Sequence, residues 1–210
     1  MAIIVDELLR SVPRLWRGSG LPVDHDRTLP TGFAGLDAVL PGGGWPLGAV
    51  VELLHDAVGI GELRLLLPVL QRLTHTGNHV LLVDPPYAPN AVSLQAGGMD
   101  LEQVLLARPA TGRDALWSAE QALRNPACGA VLMWAQGRSC GDDQVRRLQV
   151  AAHDGQSTLF LYRAGRRRVS QWAALRLALL PAEQGVQVSV LKAVGTHQRP
   201  QLTVAFQESC

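Results

Sequence analysis

The chain has 210 residues, 47% of them apolar and 18% charged, with a formal net charge of +1 at neutral pH. These values predict one globular domain with a sizeable core, and they exclude a disordered chain and a bulk attraction to polyanions. The longest apolar runs reach about half of a membrane span, and no basic signal-peptide start is present, so we expect a cytoplasmic protein without membrane contact.

The three cysteines are odd in number and far apart in the sequence, at Cys128, Cys140 and Cys210. We expect reduced thiols and no disulfide framework. No His, Cys, Asp and Glu residues recur at the spacing of metal ligands, so we predict no metal site.

Residues 1–28 are interpreted as an N-terminal helix and linker that precede a core formed by residues 29–210. Leu15 and Trp16 lie in this segment between Arg14, which follows Pro13, and Arg17. Two interpretations stay open for them: packing on the surface of the domain, or a docking motif for another protein.

The core begins with a predicted helix over residues 31–40, with Thr31 as its N-cap. A buried strand then ends at Leu54, and a loop with Gly59 and Gly61 follows. Leucines recur after this loop at helical spacing, which predicts a helix. Such a strand, glycine-bearing loop and helix is where a nucleotide-binding α/β domain holds phosphates.

The residues of this loop do not fit the phosphate-binding pattern, which requires Gly-Lys-Ser/Thr after four variable residues. The chain has Gly59-Ile60-Gly61-Glu62, and its one lysine is Lys192 near the C-terminus. A carboxylate beside a triphosphate is repelled by several kcal/mol at an effective dielectric of about 20. We interpret Gly59, Gly61 and Glu62 as a degenerate nucleotide loop. An ordinary strand-to-helix turn is the alternative.

Apolar strands and amphipathic helices alternate over the next hundred or so residues. The predicted strands cover residues 79–84, 104–107, 129–134 and 158–162, and the predicted helices residues 90–95, 112–124 and 142–153. This order predicts an α/β fold with a mainly parallel sheet that helices cover on both faces. Residues 174–180, 186–194 and 201–206 alternate without long helices and predict an antiparallel extension at the C-terminus.

A basic loop follows the strand at residues 158–162, with Arg163, Arg166, Arg167 and Arg168 within six residues. Ligands bind at the carboxyl ends of parallel strands in such folds. We therefore predict contact with DNA or an acidic partner, extended by Arg146 and Arg147 on the preceding helix. A solvated loop is the alternative.

Three segments carry a family resemblance that spans roughly residues 29–206. They are Leu29-Pro30-Thr31-Gly32-Phe33-Ala34-Gly35-Leu36-Asp37 with Gly42-Gly43-Gly44-Trp45-Pro46-Leu47-Gly48, then Gly59-Ile60-Gly61-Glu62-Leu63, then Arg108-Pro109-Ala110-Thr111-Gly112-Arg113. The chain resembles the RecA family of recombinase ATPases. It is more similar still to ImuA, the RecA-like and SulA-like accessory protein family of bacterial SOS mutagenesis.

The resemblance implies a RecA-like core of the P-loop NTPase type and a role in SOS-induced translesion DNA synthesis. The implied partners are an ImuB-type inactive Y-family polymerase and an error-prone replicative-type polymerase, with RecA and DNA as further candidates. The residues that RecA uses for chemistry are replaced: Asp84-Pro85-Pro86 stands at the catalytic glutamate and Trp134 at the magnesium aspartate. We therefore expect no ATP hydrolysis and no cofactor.

Two alternatives stay open from the sequence. One is a SulA-like cell-division inhibitor that binds the tubulin-like division protein. The other is a RecA-like ATPase with a rearranged site.

Overall fold

The computed structural model describes residues 28–135, 140–165 and 170–206. The predicted N-terminal segment, with Leu15 and Trp16, therefore lies outside the described residues except for residue 28. Arg166, Arg167 and Arg168 also lie outside them. Within the described part, no helix is long and apolar enough to cross a bilayer.

The described residues form ten strands and five α-helices. The strands are β1 (Thr28–Leu29), β2 (Trp45–Pro46), β3 (Val50–His55), β4 (His79–Val83), β5 (Val104–Ala107), β6 (Cys128–Trp134), β7 (Thr158–Ala164), β8 (Leu175–Ala182), β9 (Gly185–Ala193) and β10 (Gln201–Ala205). The helices are α1 (Ala34–Asp37), α2 (Leu67–His75), α3 (Ala91–Ala96), α4 (Gly112–Arg124) and α5 (Asp142–Gly155).

Eight of these strands form one sheet in the order β10-β9-β8-β3-β7-β6-β4-β5, and β1 pairs with β2 separately. The strands from β8 to β5 in this order are all parallel. Only β9 and β10 run antiparallel to their neighbours. The prediction of a mainly parallel sheet with antiparallel C-terminal strands is confirmed, but the first C-terminal strand, β8, belongs to the parallel part. Its buried run Leu175–Leu179 is typical of a parallel strand covered on both faces.

Helices cover both faces of the sheet, as predicted. Successive strand residues point to opposite faces. Val51 and Leu53 of β3 lie in the apolar cluster that includes residues of α1, α2 and α3, whereas Val50 lies in the cluster with α4 and α5. The two clusters define an α2 face and an α5 face of the same sheet.

Two predicted helices begin later than expected. The helix after the glycine loop begins at Leu67 rather than next to Gly61, because residues 62–66 form turns and Pro68 suits only the first helical turn. The first helix is only Ala34–Asp37, and Phe33 precedes it as N-cap. Thr31 instead accepts the Phe33 N–H through its hydroxyl oxygen at 3.1 Å, which makes a local turn.

Candidate functional site

The loop of residues 56–66 joins the carboxyl end of β3 to α2, at the edge where parallel strands place ligand sites. Glu62 lies in this loop and is 7% exposed. Its Oε1 accepts the Gly59 N–H at 2.9 Å, while its buried Oε2 has no hydrogen-bond partner among the residues that the structure describes. The loop therefore directs a backbone N–H at its own carboxylate, as a phosphate-binding loop directs N–H groups at a phosphate.

Aromatic side chains fill the space between this loop and the neighbouring strand ends. The rings of Trp134 and Tyr162 stack with centroids 4.6 Å apart and planes 10° from parallel. The Tyr162 hydroxyl donates to the Glu62 carbonyl at 3.2 Å, and the His55 ring lies edge-on to Tyr162 at 6.0 Å. Burial, with a smaller contribution from the Glu62 charge, raises the pKa of Tyr162 well above its ordinary value. The phenol is therefore held neutral as a donor.

A cavity of about 920 Å³ opens in front of the loop. The loop residues from Gly59 to Arg64, Tyr87, the β8–β9 turn and the end of β10 with Phe206 line it. The Arg64 guanidinium lies 4.7 Å from the centre of the Phe206 ring. A Cβ on Gly61 would lie 2.4 Å from a Phe206 ring carbon, so the backbone of this loop approaches the aromatic ring closely.

A second group of charges lies within the sheet. Glu52 of β3 is fully buried, and its Oε1 accepts from Arg163 Nη1 at 2.6 Å. Its Oε2 accepts from Arg176 Nε at 2.7 Å. The same arginines also bind backbone carbonyls that precede them in the chain. Arg163 donates to the Cys140 carbonyl at 3.0 Å, and Arg176 donates to the Ser170 carbonyl.

This arrangement corrects the expectation that Arg163 lies on a contact surface. Arg163 is 9% exposed, and its guanidinium is committed to Glu52 and Cys140. The physical reason is that a buried carboxylate in the middle of a strand needs charged or hydrogen-bonding partners. Arg163 and Arg176 lie on the neighbouring strands and supply them.

Arg146 and Arg147 are exposed on α5, which packs on the face of the sheet opposite to α2. The Arg146 guanidinium lies 4.9 Å from the centre of the Trp172 ring, which is 38% exposed. Arg147 pairs with Glu120 of α4 at 2.5 Å. Both arginines belong to the α5 face, whereas Glu62 lies beside Tyr162 on the α2 face.

Four site residues were missed by the sequence analysis: Glu52 and Arg176 in the ion group, and Tyr87 and Phe206 at the cavity. A signal existed for the first pair, because each is a single charge inside an apolar strand. No signal existed for Tyr87 and Phe206, which only the tertiary fold brings near the loop. Among the described residues, no three His, Cys, Asp or Glu side chains are placed to hold a metal ion.

Fold and site together define a mixed α/β protein with a large, mostly parallel sheet and a carboxylate-bearing glycine loop at its carboxyl edge. Residues 48–159, more than half of the chain, match the family model described as cell division inhibitor SulA. The chain belongs to this family.

Curated relatives add a second similarity, to protein RecA. The chain is 30% identical over 106 residues to RecA of Bacillus licheniformis, which covers 50% of the chain and 30% of the relative. It is 32% identical over 123 residues to RecA of Brucella anthropi, which covers 59% of the chain and 33% of the relative. It is 33% identical over 123 residues to RecA of Prochlorococcus marinus, which covers 59% of the chain and 31% of the relative.

The matched part thus spans about a third of the length of these relatives. The SulA match and the RecA similarity together fit a RecA-like and SulA-like protein of the ImuA type.

Proposed function

We propose that this chain is a non-catalytic, RecA-like accessory factor of SOS-induced translesion DNA synthesis. It acts by contact with an ImuB-type inactive Y-family polymerase and an error-prone replicative-type polymerase. One observation carries the non-catalytic part: the Glu62 carboxylate accepts the Gly59 N–H where a P-loop would hold a phosphate. The mixed α/β sheet is, in this proposal, a RecA-like core of the P-loop NTPase type.

The groups at the strand ends support the proposed absence of ATP hydrolysis. A triphosphate entering the loop meets the Glu62 carboxylate rather than an ammonium group. Trp134 stands where the resemblance places a magnesium ligand, and its ring stacks on Tyr162. Mg²⁺ is a hard cation that requires oxygen ligands, and an indole ring supplies none.

Calorimetry with Mg-ATP tests this part of the proposal. We expect no binding at micromolar concentrations and no phosphate release by the pure chain. Micromolar affinity or measurable turnover would establish the alternative, a RecA-like ATPase with a rearranged site.

The contact surface proposed for the partner lies on the α5 face, where Arg146 and Trp172 are exposed together. Arginine and tryptophan are enriched in the residues that dominate binding energy at protein interfaces. The predicted contacts of Arg166, Arg167 and Arg168, and direct contact with DNA or RecA, remain part of the proposal. The described residues do not include these three arginines.

Co-purification with the ImuB-type protein tests the contact. Trp172→Ala and Arg146→Ala should each reduce the amount retained, because each removes one half of the stacked pair. Arg72→Ala is the matched control, since Arg72 is an exposed arginine on α2, on the opposite face. Equal retention of all variants would remove this surface from the proposal, and failure of the wild-type chain to bind would remove the partner.

The description of the matched family favours a second candidate function, inhibition of cell division. In that case the chain binds the tubulin-like division protein and blocks its polymerisation. A polymerisation assay with the purified division protein separates the two functions. Substoichiometric or stoichiometric inhibition supports the division role, and unaffected polymerisation excludes it.

A further inference from the structure

We propose that a second cavity, at the carboxyl end of β6, binds an acidic peptide, with one carboxylate at Arg113 and an apolar side chain against Trp117. This cavity has a volume of about 560 Å³ and shares no described lining residue with the cavity in front of the glycine loop. The proposal goes beyond the polymerase contacts, because only residues of this chain define the site.

The cavity lies between the first turns of two helices and the end of a strand. Gly112 and Arg113 of α4, Trp134 of β6 and Gln144 of α5 are among the residues that line it. Both neighbours of β6 in the sheet run parallel to it. Folds of this kind bind ligands at the carboxyl ends of their parallel strands. The cavity therefore lies where the fold leaves room for a ligand.

The charge of the lining favours an anion. In the described part of the chain, the charged residues that line the cavity are two arginines, Arg113 and Arg147. Arg147 is paired with Glu120, whereas Arg113 is exposed and makes no ion pair with a described residue. The neighbouring Asp114 accepts from the Thr111 hydroxyl at 2.6 Å instead. One guanidinium thus remains for an anion, and a carboxylate can bind a guanidinium through two parallel hydrogen bonds.

The first turn of α4 adds to this preference. The helix has 13 residues and begins at Gly112, which lines the cavity. The free N–H groups at the start of a helix carry partial positive charge, which favours an anion near the first turn. Arg113 lies in the same turn, so its guanidinium and the helix end both favour a carboxylate at this place.

Apolar side chains form much of the remaining lining. Ala115 and Met133 are buried, and Trp117 is 62% exposed. Trp117 follows Arg113 by four residues, so the two side chains are neighbours on the surface of α4. Tryptophan and arginine are enriched among the residues that dominate binding energy at protein interfaces. The lining thus fits an apolar side chain next to a carboxylate.

These features favour a peptide over a nucleic acid. Affinity for a nucleic acid depends on the neutralisation of several phosphates. Among the described lining residues, Arg113 is the one arginine without a counter-charge. The volume of about 560 Å³ lies in the range of sites that enclose most of a small ligand. A short segment with one acidic side chain and apolar neighbours meets both conditions.

Titration followed by nuclear magnetic resonance tests the proposal with three peptides: acetyl-Leu-Glu-Leu-amide, acetyl-Leu-Gln-Leu-amide and acetyl-Ala-Glu-Ala-amide. We expect the first peptide to shift the Gly112 backbone amide and the Trp117 indole N–H saturably. The glutamine peptide keeps the shape and removes the charge, so it should bind at least about tenfold more weakly. The alanine peptide should also bind more weakly, because it buries less apolar surface.

Two variants connect the binding to the named side chains, with the Gly112 amide as the reporter. Arg113→Gln should weaken binding of the Leu-Glu-Leu peptide about tenfold, because it removes the charged donor. Trp117→Ala should also weaken it. Both positions are exposed, so the fold should be retained. Arg72→Gln is the control, because Arg72 is an exposed arginine on α2, outside the cavity, and it should leave the affinity unchanged.

Equal binding of the glutamate and glutamine peptides would overturn the proposal. So would the absence of a saturable shift, or unchanged affinity in both Arg113→Gln and Trp117→Ala. Oligothymidylate that shifts the Gly112 amide more strongly than the Leu-Glu-Leu peptide would assign the cavity to single-stranded DNA instead. These measurements use the chain alone, so their failure is distinguishable from a failure to bind a polymerase.

Discussion

Glu52 shows how one residue determines the environment of several others. It is an acidic side chain with no exposed surface, and it holds Arg163 and Arg176, whose side chains are 10% and 9% exposed. Through these arginines it also connects the chain at Cys140 and Ser170 to the central strand. The sequence pattern marks Glu52 as unusual, but its partners lie 111 and 124 residues away and cannot be paired from the pattern.

We expect Glu52→Gln to lower the free energy of unfolding by about 3–5 kcal/mol, because it leaves two arginines buried without a counter-charge. Urea denaturation followed by circular dichroism measures the change. Glu120→Gln is the comparison, since Glu120 pairs with the exposed Arg147 and Arg124. That variant should lose no more than about 1 kcal/mol.

Equal losses in these two variants would contradict the assignment of Glu52 as the centre of a buried charge group. Replacing all three charges with apolar residues, as Glu52→Leu, Arg163→Met and Arg176→Met, should recover much of the stability, because no charge is then left buried alone.

The pKa of the Cys140 thiol makes stability depend on pH. Burial, partly opposed by Arg163, raises this pKa from 9.0 to about 11. Between these values the unfolded chain has released a proton that the folded chain still holds. Stability is therefore complete below pH 9 and falls as the pH rises toward 11.

Comparison with Cys140→Ala isolates this effect, because the other titrating groups are common to both proteins. From pH 8 to about pH 10.5, the free energy of unfolding of the wild-type chain should fall by about 2 kcal/mol more than that of the variant. This figure takes about 1.36 kcal/mol for each pH unit above 9.0. Parallel losses in the two proteins would show that the thiol does not contribute.

At the scale of elements, helix α4 was predicted with its observed bounds, whereas α2 was not. Helix α4 has an N-cap at Thr111, whose side chain accepts the Asp114 N–H at 3.1 Å, and an amphipathic repeat. The leucine repeat of α2 extends upstream into residues 62–66, where the contacts of Glu62 and Tyr162 impose turns instead. Local signals locate α4 because its ends are determined locally, and they mislocate α2 because its start is determined by tertiary contacts.

The glycine loop offers a matched pair of substitutions. Gly59 and Gly61 both have positive φ, 80° and 96°, so alanine at either position is strained by about 1–2 kcal/mol. A Cβ at position 59 meets nothing within 4 Å, whereas one at position 61 lies 2.4 Å from the Phe206 ring. Gly61→Ala should therefore destabilise the chain by at least about 1 kcal/mol more than Gly59→Ala, from overpacking.

Urea denaturation of both variants measures this difference. Adding Phe206→Ala should remove the excess cost at position 61 and leave the cost at position 59 unchanged, as a double-mutant cycle requires for a direct contact. Without such coupling, the ring and the loop are not packed as described.

At the scale of the whole molecule, the fold class could be predicted but the strand order could not. Apolar runs alternating with helices predict a parallel sheet covered on both faces, because only such a sheet buries its strands on both sides. The order of the strands depends on crossovers between residues far apart in sequence. The β3 strand pairs with β7 and β8, not with β4, which follows it in the chain.

This order places fully buried strands at the centre and partly exposed strands at both edges. Every residue of β3 and β6 is buried, whereas Leu105 and Leu106 of the edge strand β5 are about half exposed, at 50% and 49%. At the other edge, only Val204 of β10 is buried. Since local opening needs few contacts to be broken at an edge, the molecule should open from its two edges.

Native-state hydrogen exchange tests this expectation. Amides of β3, β6 and β7 should exchange only through global unfolding, with an opening free energy that falls steeply with added urea. Hydrogen-bonded amides of β5 and β10 should exchange faster, with little urea dependence, because their opening exposes little surface. If β10 were as protected as β3, the C-terminal antiparallel strands would belong to the same cooperative unit as the parallel sheet. The contact of Phe206 with the glycine loop would then be strong enough to join the opening of β10 to global unfolding.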